Sequence, residues 1–272
     1  MRIMRPLAFT AVACAALACA GPALASVPKS GYLIFKEVRS GALTEVRTKG
    51  TGQLVFSGTS LHGKNKKGSN PACADDSYVL LGTQWRRFES YFVNPTTVPD
   101  YLNDKKVIEE LKKAANAWEG SFRTDCKKPK GKSDYEVDYG GRTSRHATLV
   151  TELVSDGVNA ISFESLAGTI CDGATACTVI DYDEKGINEA DMAFEEDLTR
   201  YGFQDFYTTD DTTTFNDVGG HWAISDIGTH EFGHFAGLDH TFESPTLTMY
   251  PFMHDGDDTL GLGDMLGLLA IY

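Results

Sequence analysis

Residues 230–240 read HEFGHFAGLDH, and this string decides how the chain is read. His230 and His234 are four apart, so on a helix they stand one turn above each other on one face. Two imidazoles so placed can grip one metal ion. Glu231 follows the first His and faces the same cleft, where it can hold and deprotonate a metal-bound water. Gly237 lets the backbone leave the helix, because a residue without Cβ tolerates positive φ at a helix end. The turn then returns His240 as a third nitrogen ligand. Three neutral imidazoles with one open position describe a catalytic zinc site rather than a closed structural one. Three of the chain's seven His sit in this string. Its joint spacing of three His, one Glu and one Gly is far more specific than HExxH alone.

HExxHxxGxxH is the signature of the metzincin zinc peptidases. This copy resembles the matrixin branch, with Thr241 where that branch usually carries Ser. Downstream, Leu247-Thr248-Met249-Tyr250-Pro251 resembles the matrixin Met-turn, whose Met packs beneath the metal ligands. Taken alone, Met249 reads as ordinary core filler. The closing LGLGDMLGLLAIY is similar to that family's C-terminal helix. Upstream the likeness is looser, through YVLLGTQW at 78–85, GVNAISF at 157–163 and INEADMAF at 187–194. It spans about residues 73–272 and is anchored at 230–252. The departures are an absent PRCGxPD switch segment, no structural-zinc histidine cluster and no C-terminal propeller domain.

The resemblance implies an α+β fold: a twisted, mostly parallel mixed sheet with one antiparallel edge strand, backed by two long helices, with a C-terminal helix closing the chain. It implies an endopeptidase that hydrolyses peptide bonds in proteins through a zinc-bound water activated by Glu231, with His230, His234 and His240 as the zinc ligands. It places the strand carrying Thr178, Val179 and Ile180 at the sheet edge above the cleft. There, unpaired backbone groups can take a substrate as an added strand. The bland reading is an edge strand guarded by the charge of Asp181. Pro251, Phe252 and Met253 are expected to line the pocket for the side chain beyond the cleaved bond. The alternative is a non-catalytic, zinc-stabilised binding or adhesion protein on the same frame. Retention of Glu231 argues against it, because a purely structural site has no use for that base.

Residues 1–25 read as a signal peptide: Arg2 and Arg5 precede an Ala-rich apolar run, and Ala23-Leu24-Ala25 before Ser26 is an A-x-A cleavage site. A secreted product, extracellular or periplasmic, is expected. Cys19 leaves a lipid-anchored alternative, but the usual apolar residue three positions before such a Cys is missing. No later apolar run is long enough to span a bilayer. Removing the segment leaves four cysteines, and an even count in an exported chain implies disulfides. Cys171 and Cys177 bracket a Gly-containing loop and are paired, which leaves Cys73 with Cys126. Cys73 also sits about where matrixins keep their switch cysteine, with only a Pro and an Asp nearby to match. A disulfide is the preferred reading.

The remaining chain divides into an N-terminal extension or pro-segment at 26–74 and a catalytic domain at 75–272. The extension holds eight basic and two acidic residues, a net charge of +6, and the rest carries −21. A nucleic-acid partner is excluded by that sign. Protein or peptide substrates and a monomeric state are expected. Acidity peaks in 172–272, with Lys185 and Arg200 against 21 acids. Solubility is its bland reading; the functional ones are a structural calcium ion and attraction of cationic substrates. Asp181-Tyr182-Asp183 with Gly186 begins like a calcium loop but fails as an EF-hand, with Lys185 at a ligand position. Glu195-Glu196-Asp197 matches a region that binds calcium in matrixins.

Strands are expected at 32–35 and 53–56, then a basic linker at 64–69, and a strand pair in 77–94. Asn103 reads as the N-cap of a helix running to about Trp118, with Ile108, Leu111, Ala115 and Trp118 forming its apolar stripe. Further strands are expected at 134–139, 147–153, 158–164 and 177–182, with a turn at 183–186. A polar loop follows at 208–214, and the zinc helix spans 223–237.

Overall fold

The computed structural model describes residues 30–36, 70–87, 89–201, 205–208, 222–242, 244–252 and 258–272. The signal segment, the strand expected at 53–56, the linker at 64–69, most of the 208–214 loop and Met253 lie outside them.

Asn103 starts the first long helix as its sequence predicts, accepting hydrogen bonds from the Lys105 and Lys106 amides through Oδ1. That helix, α1 (Asp104–Asn116), buries Ile108, Leu111 and Ala115, and Trp118 just beyond its end is fully enclosed. The predicted stripe is therefore core. Before it come β1 (Ser30–Lys36), β2 (Val79–Leu80) and β3 (Glu89–Val93). After it come β4 (Val137–Arg142), α2 (Thr148–Thr151), β5 (Ala160–Glu164), β6 (Ala176–Asp183) and β7 (Gly186–Glu195). The chain continues through β8 (Phe206–Tyr207), β9 (Trp222–Ala223), α3 (Ile224–Ala236), β10 (Leu238–Asp239) and α4 (Leu262–Ile271).

The fold is α+β. Its main sheet has six strands in the order β1-β6-β7-β5-β3-β4. β4, β3, β5 and β7 run parallel, and β6 turns back antiparallel to β7 through the turn expected at 183–186. Among the described residues β6 is not the outermost strand. β1 pairs antiparallel along its outer side from Ser30↔Asp183 to Lys36↔Cys177. Seven residues read as part of an N-terminal extension thus belong to the same sheet as strands from the 75–272 segment.

Two further expectations differ from the structure. Residues 147–153 are not a strand: Thr148–Thr151 form a helical turn lying over β6 and β7. Leu149 and Val150 are buried beneath it, and the Leu149 amide goes to the Asp191 carboxylate instead of a neighbouring strand. The 77–94 segment does hold two strands, but they do not pair with each other. β2 joins β10, and β3 enters the main sheet.

One sheet face packs on α1 and α3, enclosing Tyr91, Ile180, Phe194, Phe232 and Phe235. The other carries a smaller cluster with Leu149, Val150, Leu166 and Val179. The Cys171–Cys177 disulfide belongs to this second layer. Cys73–Cys126 forms the other predicted bridge, joining the start of the body to the segment after α1. Among the described residues, no helix is long and apolar enough to cross a membrane.

Candidate metal centre

α3 carries His230, Glu231 and His234, all fully buried. Gly237 closes the helix in the left-handed region at φ 107°, and a Cβ there would stand 2.9 Å from the Thr83 carbonyl oxygen. Only glycine suits that corner. The last helical carbonyls are held by side chains: Trp85 Nε1 donates to Phe235 O at 2.7 Å, and the Tyr272 hydroxyl donates to Ala236 O at 2.9 Å. β10 then pairs with β2, Leu238 opposite Leu80. The helix exit is fixed from three sides, and His240 is delivered back over the helix.

The three imidazoles meet through their Nε2 atoms. His230 and His240 are 3.1 Å apart, and His234 is 3.0 Å from each of the others. On the far side of the rings, His230 Nδ1 lies 2.6 Å from Thr248 O and His234 Nδ1 2.9 Å from Leu238 O. A carbonyl only accepts, so both Nδ1 atoms carry the proton, and in a neutral ring Nε2 is then the atom that presents a lone pair. Burial first, then the neighbouring imidazoles, pushes the His234 and His240 pKa values well below the ordinary histidine range. His234 and His240 are therefore neutral, the form that ligates metals. Converging, buried, unprotonated nitrogens have no reason to cluster without a cation between them. Separations near 3 Å are what three donors about 2 Å from one ion require. The three donors form a group that could hold a metal ion, and the residues fit.

Glu231 lies beside them. Its Oε2 accepts a 2.5 Å hydrogen bond from the Thr178 hydroxyl, whereas Oε1 is buried with no protein partner among the described residues. Burial raises its pKa to about 8, against the opposing effect of the Thr178 bond. Sequence reasoning puts Thr178, Val179 and Ile180 among substrate-binding residues, yet all three side chains are fully enclosed. Thr178 serves Glu231, Val179 and Ile180 enter opposite cores, and only their backbone could meet a substrate. Pro251 is buried, and half-buried Phe252 packs edge-on against Tyr250.

Met249 is fully buried against α3, with its Sδ beside Gly233. Two residues that the sequence did not single out, Asp264 and Gly233, help hold it there, together with Trp118. Asp264, in the first turn of α4, accepts the amides of Thr248 (3.0 Å), Met249 (3.2 Å) and Gly261 (2.8 Å). Thr248 in turn offers its carbonyl to His230. Gly233 brings the helix backbone against the turn: a Cβ there would lie 2.6 Å from Trp118 Cζ2 and closer still to Met249 Sδ. Trp118 is pinned by its Nε1 bond to Thr229 O at 2.7 Å. A lone Asp in the otherwise apolar closing helix was the only sequence signal for either Asp264 or Gly233.

Among the described residues no acidic trio converges as the histidines do. Glu195, matched to a calcium region, gives its oxygens to the Leu166 and Asp197 amides. Compared with protein-family models and with curated proteins, the chain matches none.

Proposed function

We propose that this chain is a secreted zinc-dependent endopeptidase of the matrixin-like metzincin type, exported with its signal peptide removed near Ala25-Ser26. One observation carries the reading: a buried triangle of histidine nitrogens with a carboxylate oxygen, Glu231 Oε1, left without a partner among the described residues. A structural metal site would leave no such oxygen in a buried place, since an unpaired buried acceptor is costly. A bound zinc ion supplies a Lewis acid that polarises the scissile carbonyl and acidifies water. His230, His234 and His240 would hold it.

The chain's own residues do the rest. Glu231 takes a proton from the attacking water at Oε1 and returns it to the nitrogen of the leaving amine, so the carboxylate is regenerated each turn. Thr178 fixes Oε2, which leaves Oε1 as the oxygen available to take a proton. Thr248 and Leu238 hold the His230 and His234 rings in one tautomer and one orientation.

The test is cleavage of a generic protein substrate by the mature chain, with chelator and zinc add-back. Glu231→Gln is expected to abolish cleavage while zinc stoichiometry stays near one, because an amide can hold water but cannot take its proton. His240→Ala is expected to lose metal as well. Substantial turnover by Glu231→Gln would overturn the assignment of the base.

A further inference from the structure

We infer that the lysine loop at 127–132 is a docking surface for an anionic polysaccharide, and that it tethers the protein without using any residue of the metal centre.

Residues 127–132 read KKPKGK, so four of the nine lysines of 75–272 fall within six positions of a segment that carries −21 overall. All four are exposed. Elsewhere in that segment positive charge is mostly neutralised on the spot. All six arginines meet a carboxylate, as Arg123 does with Asp258 and Arg142 with Asp104, and Lys113 shares Asp258. Among the described residues no ion pair reaches Lys127, Lys128, Lys130 or Lys132, although Asp125 and Asp134 flank them in sequence and are exposed. An acidic body thus carries one dense patch of uncompensated positive charge.

The backbone holds that patch still. Cys126 is bridged to Cys73, and its amide donates to Thr124 Oγ1 at 2.9 Å. The Thr124 hydroxyl donates to Leu260 O at 2.5 Å, which pins the entry to the segment before α4. Pro129 fixes φ in the middle of the run. Gly131 takes φ 140°, and a Cβ there would stand 3.2 Å from Leu269 Cδ2, so the loop lies against α4. Lys128 Nζ donates to Ser121 O. At the exit Ser133 Oγ accepts the Tyr135 amide at 3.0 Å, and both residues are buried. Five peptide steps span at most about 18 Å, and the Debye length at physiological salt is about 8 Å. The fields of neighbouring ammoniums therefore overlap on one ligand, and little backbone ordering remains to oppose binding.

The surroundings select the kind of polyanion. Among the described residues the large exposed apolar side chains are Tyr101, Val154 and Phe242, so nothing on this loop inserts into a lipid interface. A broad anionic membrane would also bring its charge against Asp125, Asp134 and Glu136, all exposed. Phe122 and Tyr135 are buried, which leaves no ring beside the lysines for a nucleic-acid base to stack on. A single charged chain can lie along the loop and keep clear of the flanking acids. A polysaccharide bearing sulfate, phosphate or carboxylate groups has that shape, and pairing with lysines releases its condensed counterions.

Mature chain is titrated by fluorescence anisotropy with fluorescein-labelled dextran sulfate, with neutral dextran as the blank, from about 50 to 200 mM salt. Binding is expected to the sulfated chain alone, and to weaken as salt rises. Lys127→Gln, Lys128→Gln, Lys130→Gln and Lys132→Gln together should cost about tenfold or more in affinity. Lys105→Gln, Lys106→Gln, Lys112→Gln and Lys185→Gln together change net charge equally and should cost less than about threefold. Arginine at the four loop positions should retain binding, and thermal melts establish that each variant is folded. Absence of binding at the lowest salt overturns the inference. So does an equal loss in the two glutamine sets, which would make the attraction one of net charge. Tighter binding of a thymidine oligonucleotide, or of phosphatidylglycerol vesicles, than of dextran sulfate overturns the choice of a polysaccharide.

Discussion

Gly233 tests how the metal centre is supported without touching a ligand. In Gly233→Ala the added Cβ would sit 2.6 Å from Trp118 Cζ2 and 3.0 Å from Cη2, and nearer still to Met249 Sδ. Ordinary carbon contacts lie at about 3.5–4.0 Å, so at least ~0.5–1 Å must be found. Trp118 cannot slide without losing its bond to Thr229 O. The Met-turn is held on both sides, by Asp264 at Met249 N and by Thr241 N at Met249 O (2.8 Å). Overpacking of this kind costs about 1–3 kcal/mol. Alanine in place of glycine inside a helix returns about 1 kcal/mol. The net loss is about 0–2 kcal/mol, or up to several degrees in Tm at roughly 2–4 °C per kcal/mol.

Metal affinity separates this from a plain stability effect. If the turn retreats, the Thr248 carbonyl leaves His230 Nδ1, and loss of such a partner typically weakens metal binding about 10–100-fold. Pairing the change with Met249→Ala should recover much of the affinity, with a coupling energy of about 0.5–3 kcal/mol in denaturation cycles. Zinc competition against a chromophoric chelator and urea unfolding give both quantities. If Gly233→Ala alone were about 1 kcal/mol more stable with unchanged zinc affinity, as at an open helix surface, the close approach would be wrong.

Thr178→Val keeps the shape of a buried side chain and removes the hydroxyl that donates to Glu231 Oε2. Bonds to charged groups contribute about 1.5–3 kcal/mol. kcat/KM should fall about tenfold or more with zinc stoichiometry unchanged, and Thr178→Ser should restore most of it; equal activity in the valine variant would show that Oε2 is held by something else. Asp191 gives a pH prediction. Burial raises its pKa to about 8, helped by Glu189 and Asp156 and opposed by the Leu149 and Ala160 amides. The folded value exceeds the unfolded value of about 3.9, so its contribution to stability is complete below about pH 4 and is lost as pH rises towards 8. Parallel melts of the wild type and Asp191→Asn should show the wild type losing ground as pH rises; a difference that grows in its favour would refute the assignment.

How much of this was legible depended on distance along the chain. The histidines and Glu231 lie within eleven residues, so helical spacing and one glycine fix their geometry locally. Met249 could be read because its turn follows at short range. Thr178 is 53 residues from Glu231, and nothing in β-strand periodicity says which alternate side chain meets a helix. Gly233 reads as an ordinary helix residue until the partner across the gap is known. The same limit explains β1. Its alternation marks residues 32–35 as a strand, but the choice of β6 as partner is a tertiary fact, settled by which edge has room for Leu33 and Ile34. At 147–153 the local pattern misled, because a buried carboxylate took the amide that a strand would have shared.

That carboxylate belongs to a set that changes the meaning of the acidic C-terminal part. Glu189 accepts the Asp156 and Gly157 amides, Asp191 those of Leu149 and Ala160, Glu195 those of Leu166 and Asp197, and Asp264 the three around the Met-turn. All four are buried. They replace secondary-structure partners for loop amides that would otherwise be orphaned. An acid committed in this way has few lone pairs to spare for a cation, whatever the density of negative charge nearby. Millimolar calcium is therefore expected to leave Tm within about 1 °C of its value in equal magnesium. Were a calcium site of about 10 µM Kd present, mass action at 1 mM would add about 2.7 kcal/mol, a rise of roughly 5 °C or more for a domain of this size. A calcium-specific rise of that order would show that other acids build a site, and that these four are not the chief use of the charge.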